Sequence, residues 1–281
     1  MHSNLKSLEP ILEWKNHLFG FPVDRWGSIA GQSYWITGAG TGYGRSMAVA
    51  LAAAGAQVFI TGRRIDKLRE TMNEMRTLGI PTDKCHPIPG DITDSSQVAE
   101  ACREVEQLCP SLDGLINSAA LPNRPGTKSP LQEDPPEYWT RLLATNVTAP
   151  WLLTRSIFGH LLKSGRPRIL FIGSGAGWAD TPGVGPYNIS KAGLNSLSQS
   201  MAQEYARDFP GEDIQINMLA AGEAQTEMNK ESTTSPYAIV RMALLLLSQD
   251  KGGPNGRFFS MEGDHLSFGV TNPFEKPLME V

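Results

Sequence analysis

Tyr187 and Lys191 stand four residues apart in Tyr-Asn-Ile-Ser-Lys, a spacing that puts both side chains on one face of a helix. A phenol titrates at about pH 10 and is a poor base at neutral pH. An ammonium group beside it favours the phenolate and lowers that pKa toward a range useful for proton transfer. The lysine could also hydrogen-bond the ribose hydroxyls of a bound nucleotide. Pairs of this kind also occur as plain surface neighbours, so their meaning depends on what else the chain supplies.

A second chemical signal lies far upstream, in Thr37-Gly-Ala-Gly-Thr-Gly-Tyr-Gly44. Gly38, Thr41, Gly42, Tyr43 and Gly44 fall between an apolar run and a helical stretch. Glycines there allow a tight strand-to-helix turn and the close approach of a pyrophosphate to the backbone. The next helix would point its free N–H groups and positive dipole end at the phosphates. About 20 residues beyond the glycines, a site that prefers NAD carries an acid for the ribose 2′-hydroxyl. Here the chain has Gly62 followed by Arg63 and Arg64. The missing carboxylate leaves room for a 2′-phosphate, which a guanidinium can grip through two hydrogen bonds. NADP(H) is therefore expected over NAD(H), although the same arginines could merely open a solvated helix.

These groups need a scaffold, and its periodicity is readable. Short apolar runs at 33–37, 56–61, 112–118, 167–173 and 214–220, with a weaker one at 256–261, alternate with helical stretches at 47–54, 97–108, 138–162 and 190–207. Strands alternating with helices imply βαβ units. The expected fold class is α/β: one Rossmann-like, doubly wound parallel sheet of about seven strands with helices on both faces. No repeat or linker divides the chain. Residues 31–268 are expected to form the nucleotide-binding catalytic domain, preceded by an N-terminal extension (1–30) and followed by a tail (269–281). Leu12, Trp14, Phe19, Phe21 and Trp26 argue that the extension packs on the domain or on a neighbouring subunit. The chain is expected to turn irregular from about Leu266.

Taken together, these motifs resemble the short-chain dehydrogenase/reductase family in its shorter-subunit branch. Thr37, Gly38, Gly42 and Gly44 meet its TGxxxGxG pattern. Asp91, followed by Ile92, matches its adenine-contacting aspartate after the third strand, and Asn117-Ser118-Ala119-Ala120 stands for its NNAG segment. Asn146 matches its helix asparagine, and Ser174, thirteen residues before Tyr187, its active-site serine. Gly222 and Thr226 match the segment that meets the cofactor phosphates after the sixth strand. The resemblance covers about 31–268, in order and spacing. It implies that Asn146, Ser174, Tyr187 and Lys191 form a catalytic tetrad, Tyr187 exchanging the proton while hydride passes between NADP(H) and a carbonyl or secondary alcohol. Ser174 would polarise the carbonyl, Lys191 would tune Tyr187 and bind the nicotinamide ribose, and Asn146 would position a relay water. It also implies a homodimer or homotetramer.

Three departures from the family pattern stand out. Ser118 and Ala120 replace an asparagine and a glycine, and Ala221 replaces a proline. The third is the short EMNKESTTS segment (227–235), where the family has a longer substrate cover; the pocket is expected to be either comparatively open, which would suit a large or carrier-linked substrate, or closed by the N-terminal extension, the C-terminal tail or another subunit. Trp178 is a candidate specificity wall near Ser174 or simply cover for the sheet edge. The competing class is a catalytically silent NADP-binding scaffold or sensor.

Composition narrows the remainder. A net charge of −4 gives no general attraction to nucleic acid or anionic membranes. The longest apolar run, 242–247, is far short of the ~20 residues that cross a bilayer. Three cysteines without a CxxC pair read as reduced thiols of a cytoplasmic protein. The five histidines show no metal-ligand spacing.

Overall fold

A computed structural model describes residues 9–122, 131–177 and 184–267. Two helical turns, α1 (Trp14–His17) and α2 (Val23–Trp26), precede the sheet. There follow β1 (Ser33–Thr37), α3 (Gly42–Ala53), β2 (Gln57–Gly62), α4 (Ile65–Thr77), β3 (Cys85–Pro89), α5 (Ser95–Leu108) and β4 (Gly114–Asn117). The second half adds α6 (Pro136–Leu143), α7 (Ala149–Leu162), β5 (Arg168–Gly173), α8 (Pro186–Asp208), β6 (Gln215–Ala220), α9 (Val240–Leu247), β7 (Arg257–Phe259) and β8 (His265–Ser267).

The strand order is β3-β2-β1-β4-β5-β6-β7-β8. The first seven strands run parallel, and β8 adds antiparallel to β7. This is the expected doubly wound sheet, with one addition: residues 265–267, read from sequence as the start of an irregular tail, extend its edge. The tail beyond 267, Trp178 and the first eight residues lie outside the described residues. The order reverses between β1 and β4, so the crevice beyond the carboxyl ends of these strands is where such sheets bind ligands.

Central parallel strands are buried on both faces, hence their unbroken apolar runs. Alternation along β1 sends Tyr34 and Ile36 into one core and Trp35 into the other. The first core packs under α3, α4 and α9, the second under α5, α7 and α8. β3, with Pro87 and Pro89, carries no apolar run. It lies at the sheet edge, where one side needs no ladder bonds.

The N-terminal segment packs on the α4/α9 face. Trp14 Nε1 donates to the Leu78 carbonyl at 3.0 Å, and the Phe19 ring stacks on Tyr237 at 5.6 Å. Leu18 and Phe19 adopt left-handed φ values of 48° and 54°. That strain costs about 1–2 kcal/mol per residue, which burial of the Phe19 side chain, about 2–3 kcal/mol, largely offsets.

Candidate functional site

At the end of β1, Thr37 turns inward and its Oγ1 accepts the N–H groups of Ser118 (3.0 Å) and Ala119 (3.1 Å). The glycine turn is thereby stitched to the end of β4, across the point where strand order reverses. Gly38 has φ +65°, and a Cβ there would lie 2.7 Å from the Ala119 Cα; a Cβ at Gly44 would run into the Gly38 carbonyl oxygen. Both glycines are required by close approach. Gly38→Ala is expected to cost at least about 1–2 kcal/mol of stability, from the left-handed φ alone, and to weaken nucleotide binding. Chemical denaturation with and without NADPH checks this.

Thr41 is the extended N-cap residue of α3 and makes no side-chain cap bond, so no side chain competes with an anion for the first-turn N–H groups. The loop after β6 closes on this turn from the other side. Tyr43 donates its hydroxyl to the Gly222 carbonyl, and the Thr226 side chain lies 3.0 Å from where a Cβ of Gly42 would sit. Gly38, Thr41, Gly42, Tyr43, Gly44, Gly222 and Thr226 are thus gathered around one groove.

Beyond β2 the cations are partly engaged. Arg63 Nη1 is 4.0 Å from Asp91 Oδ2, and the Arg64 guanidinium meets Glu227 at 2.6 and 3.4 Å. Asp91 itself accepts the N–H and hydroxyl of Thr93, while Ile92 packs on the second core. Asn117, the last residue of β4, donates to Thr154 Oγ1 at 3.0 Å, and its buried Oδ1 has no partner among the described residues.

The reactive cluster is built on three elements. Between α6 and α7 the helix widens into a π-turn, Ala144–Thr148, that carries buried Asn146. Such bulges re-aim a side chain within an otherwise regular helix and are frequent at functional sites. Asn146 brackets Leu121, accepting its N–H at 2.7 Å and donating to its carbonyl at 3.0 Å. It also donates to Ser190 Oγ at 3.0 Å, and Ser190 in turn donates to the Tyr187 carbonyl at 2.7 Å. The structure therefore connects Asn146 to the tyrosine's helical turn through Ser190.

Ser174 follows β5; its Oγ accepts the Ala176 N–H at 3.1 Å, and it lies near enough to the Tyr187 phenol to lower its pKa. Lys191 is 3% exposed, donates to the Ile172 carbonyl at 3.0 Å and lies over the Tyr187 ring at 5.5 Å from its centre. Tyr187, Lys191 and Ser174 are thus brought together, but one electrostatic expectation is corrected. Burial raises the Tyr187 pKa above its ordinary value, only partly opposed by Ser174, because the lysine sits over the ring face and spends a proton on a backbone carbonyl. Burial also lowers Lys191 to about 8.

Sequence reading missed three residues. Ser190 could have been noticed from its position three residues after Tyr187, within reach of its carbonyl. Lys67, one turn beyond Arg64, lies 3.9 Å from Glu227. Glu227 comes from a distant segment and carried no local signal.

The short chain dehydrogenase family profile matches residues 32–236. Gluconate 5-dehydrogenase of Gluconobacter oxydans is 30% identical over 203 residues, 72% of this chain and 75% of its own. A rhamnolipid-biosynthesis 3-oxoacyl-[acyl-carrier-protein] reductase of Pseudomonas aeruginosa is 29% identical over 219 residues, 75% of this chain and 80% of its own. Among solved structures, a short chain dehydrogenase of Shigella flexneri in complex with NADP superposes with a TM-score of 0.74 at 25% identity, covering 84% of this chain and 99% of that one. The chain belongs to the short-chain dehydrogenase family of oxidoreductases.

Proposed function

We propose that the protein moves a hydride between NADP(H) and a carbonyl or secondary-alcohol carbon of a small or carrier-linked substrate. The observation that carries this reading is buried Lys191 set over the Tyr187 ring, with Ser174 beside the phenol, at the sheet end that also holds the glycine turn. The cofactor itself is supported by the fit of the groove. Gly38 and Gly44 let the turn pack where a Cβ would collide with backbone, Thr41 leaves the α3 N-terminus uncapped, and Arg63 and Arg64 stand beyond β2.

Gly38, Thr41, Gly42, Tyr43 and Gly44 would hold the pyrophosphate, with Gly222 and Thr226 closing over it. Arg63 and Arg64 would meet the 2′-phosphate, and Asp91, Ile92, Asn117, Ser118 and Ala119 would line the adenosine side. The bound cofactor supplies the hydride. Tyr187, kept protonated at neutral pH by burial, would donate its proton to the oxygen of the reduced carbonyl. Ser174 would donate a hydrogen bond to the same oxygen as negative charge builds on it. Lys191 would hold the nicotinamide ribose hydroxyls. Asn146 would brace the tyrosine's turn; both its amide hydrogens are spent, which leaves a lone pair on Oδ1 for a relay water.

The short segment 227–235 folds on itself toward the cofactor edge, and the described N-terminal contacts lie with α4, Tyr237 and α9. Trp151 on α7 and Ile189 on α8 are exposed, in keeping with a homodimer or homotetramer through these helices. Among the described residues, no helix is long and apolar enough to cross a membrane. The test is NADPH oxidation against a panel including 5-ketogluconate and a 3-oxoacyl thioester. Turnover of a ketone is the expected result; tight NADPH binding without turnover of any would favour a binding scaffold.

A further inference from the structure

We infer that Glu227 sets the cofactor selectivity of the groove by occupying Arg64, the side chain that a nucleotide 2′-phosphate would use; this rests on the NADP(H) reading above. The Glu227 carboxylate makes two contacts with the Arg64 guanidinium, at 2.6 and 3.4 Å, and lies 3.9 Å from the Lys67 ammonium. The Glu227 carboxylate thus bonds Arg64 and stands near Lys67, whose ammonium is held chiefly by Glu70 at 2.7 and 3.0 Å. Arg64 is also the N-cap residue of α4, which puts this ion pair at the start of the helix.

The carboxylate is not delivered by a loose strand. The Gln225 N–H donates to the Thr234 carbonyl at 2.8 Å, and the Thr226 and Asn229 backbones exchange hydrogen bonds at 3.0 and 3.2 Å. Thr226 Oγ1 accepts the N–H groups of Met228 and Asn229, each at 3.2 Å. Upstream, the Gly222 carbonyl holds the Tyr43 hydroxyl. Residues 222–234 therefore form a self-bonded strap fastened at two points to the cofactor groove, by Tyr43–Gly222 and by Arg64–Glu227.

A carboxylate carries one negative charge, whereas a phosphate monoester carries about −1.5 to −2 at neutral pH and has three acceptor oxygens. A 2′-phosphate can displace Glu227 from Arg64 and Lys67; a 2′-hydroxyl has no charge with which to do so. NADP(H) enters by exchange, expelling Glu227 and releasing one fastening of the strap, while NAD(H) leaves the bridge closed. Because the bridge must break, Glu227 holds NADP(H) affinity below what Arg64 alone would give. Both partners are about half exposed, so the penalty is the worth of one surface ion pair, about two- to fivefold in affinity.

The experiment measures dissociation constants of NADPH, NADH, 2′,5′-ADP and 5′-AMP for the wild type, Glu227→Gln, Arg64→Gln and the double variant. Glu227→Gln is expected to tighten NADPH and 2′,5′-ADP about two- to fivefold and to leave NADH and 5′-AMP unchanged. Arg64→Gln should weaken the two 2′-phosphate ligands about tenfold or more. In the Arg64→Gln background the Glu227 substitution should have a smaller effect, only that of its 3.9 Å contact with Lys67. If Glu227→Gln changes nothing, or tightens all four ligands equally, the inference is overturned while the NADP(H) reading stands. If Arg64→Gln leaves the preference for 2′,5′-ADP over 5′-AMP unchanged, the assignment of the 2′-phosphate to Arg64 falls, and the inference falls with it.

Discussion

Tyr187→Phe is expected to lower kcat/KM for NADPH-dependent carbonyl reduction about a hundred- to ten-thousandfold, the range a positioned general acid supplies. The phenylalanine ring keeps its place against the Lys191 side chain, and the variant loses only the hydroxyl beside Ser174. Stability should fall by about 1 kcal/mol, the net worth of one hydrogen bond. NADPH affinity should stay within about twofold of the wild type, because the pyrophosphate and adenosine contacts come from the glycine turn, the β2–α4 junction and the loop after β6. Titration of NADPH fluorescence beside steady-state rates separates the two quantities. Retention of most of kcat would remove Tyr187 from the chemistry. The raised phenol pKa also sets the pH dependence: the phenol is already protonated at neutral pH, so reduction should be flat there. Alcohol oxidation needs the phenolate and should climb as pH rises into the alkaline range.

The residues that carry this argument were not equally visible in the sequence. β1, β4, β5 and β6 announce themselves because a strand buried on both faces has no polar alternation to blur it. β3 hides because an edge strand tolerates Pro87 and Pro89, the residues a strand search rejects. β8 was lost for a related reason: a three-residue edge strand beside glycine and proline has no period to detect. The stretch 138–162 reads as one helix from its periodicity, yet it is interrupted by the π-turn at Asn146. One extra residue in a turn leaves little trace in an apolar pattern.

Site geometry follows the same division. Tyr187, Lys191 and Ser174 could be paired from spacing, since a helical turn and a strand end fix their relative places. The sign of the Tyr187 shift could not, because it depends on burial and on where the Lys191 protons point, which are tertiary facts. Arg64 was legible as a cation in the right place. Its carboxylate partner lies 163 residues away and only the folded loop after β6 brings it there.

Lys191→Met is expected to show that the reactive cluster is a site of stored instability. In the folded protein burial lowers the lysine to about 8, against an ordinary value of 10.5 in the unfolded chain. Below about pH 8 both states bind the proton, and folding must strip water from a cation. Between about 8 and 10.5 the unfolded chain holds a proton that the folded chain has released, so the stability of the wild type rises with pH across that window. Above it both states are neutral. The difference between the two values corresponds to roughly 3 kcal/mol, gained by the wild type relative to Lys191→Met from pH 7 to the top of the window. The lost bond to the Ile172 carbonyl and the change in packing are nearly independent of pH, so they cancel from the slope. Urea midpoints of the two proteins at pH 7, 8, 9 and 10 read it directly; parallel curves would mean that the lysine does not meet its burial as a cation. A cation kept at this cost is explained by what it faces: the Tyr187 ring on one side and, in the proposed complex, ribose hydroxyls on the other. Saturating NADPH should supply acceptors to Nζ, raise the folded-state pKa and flatten the slope, which ties the instability of the free protein to the ligand it is built to receive.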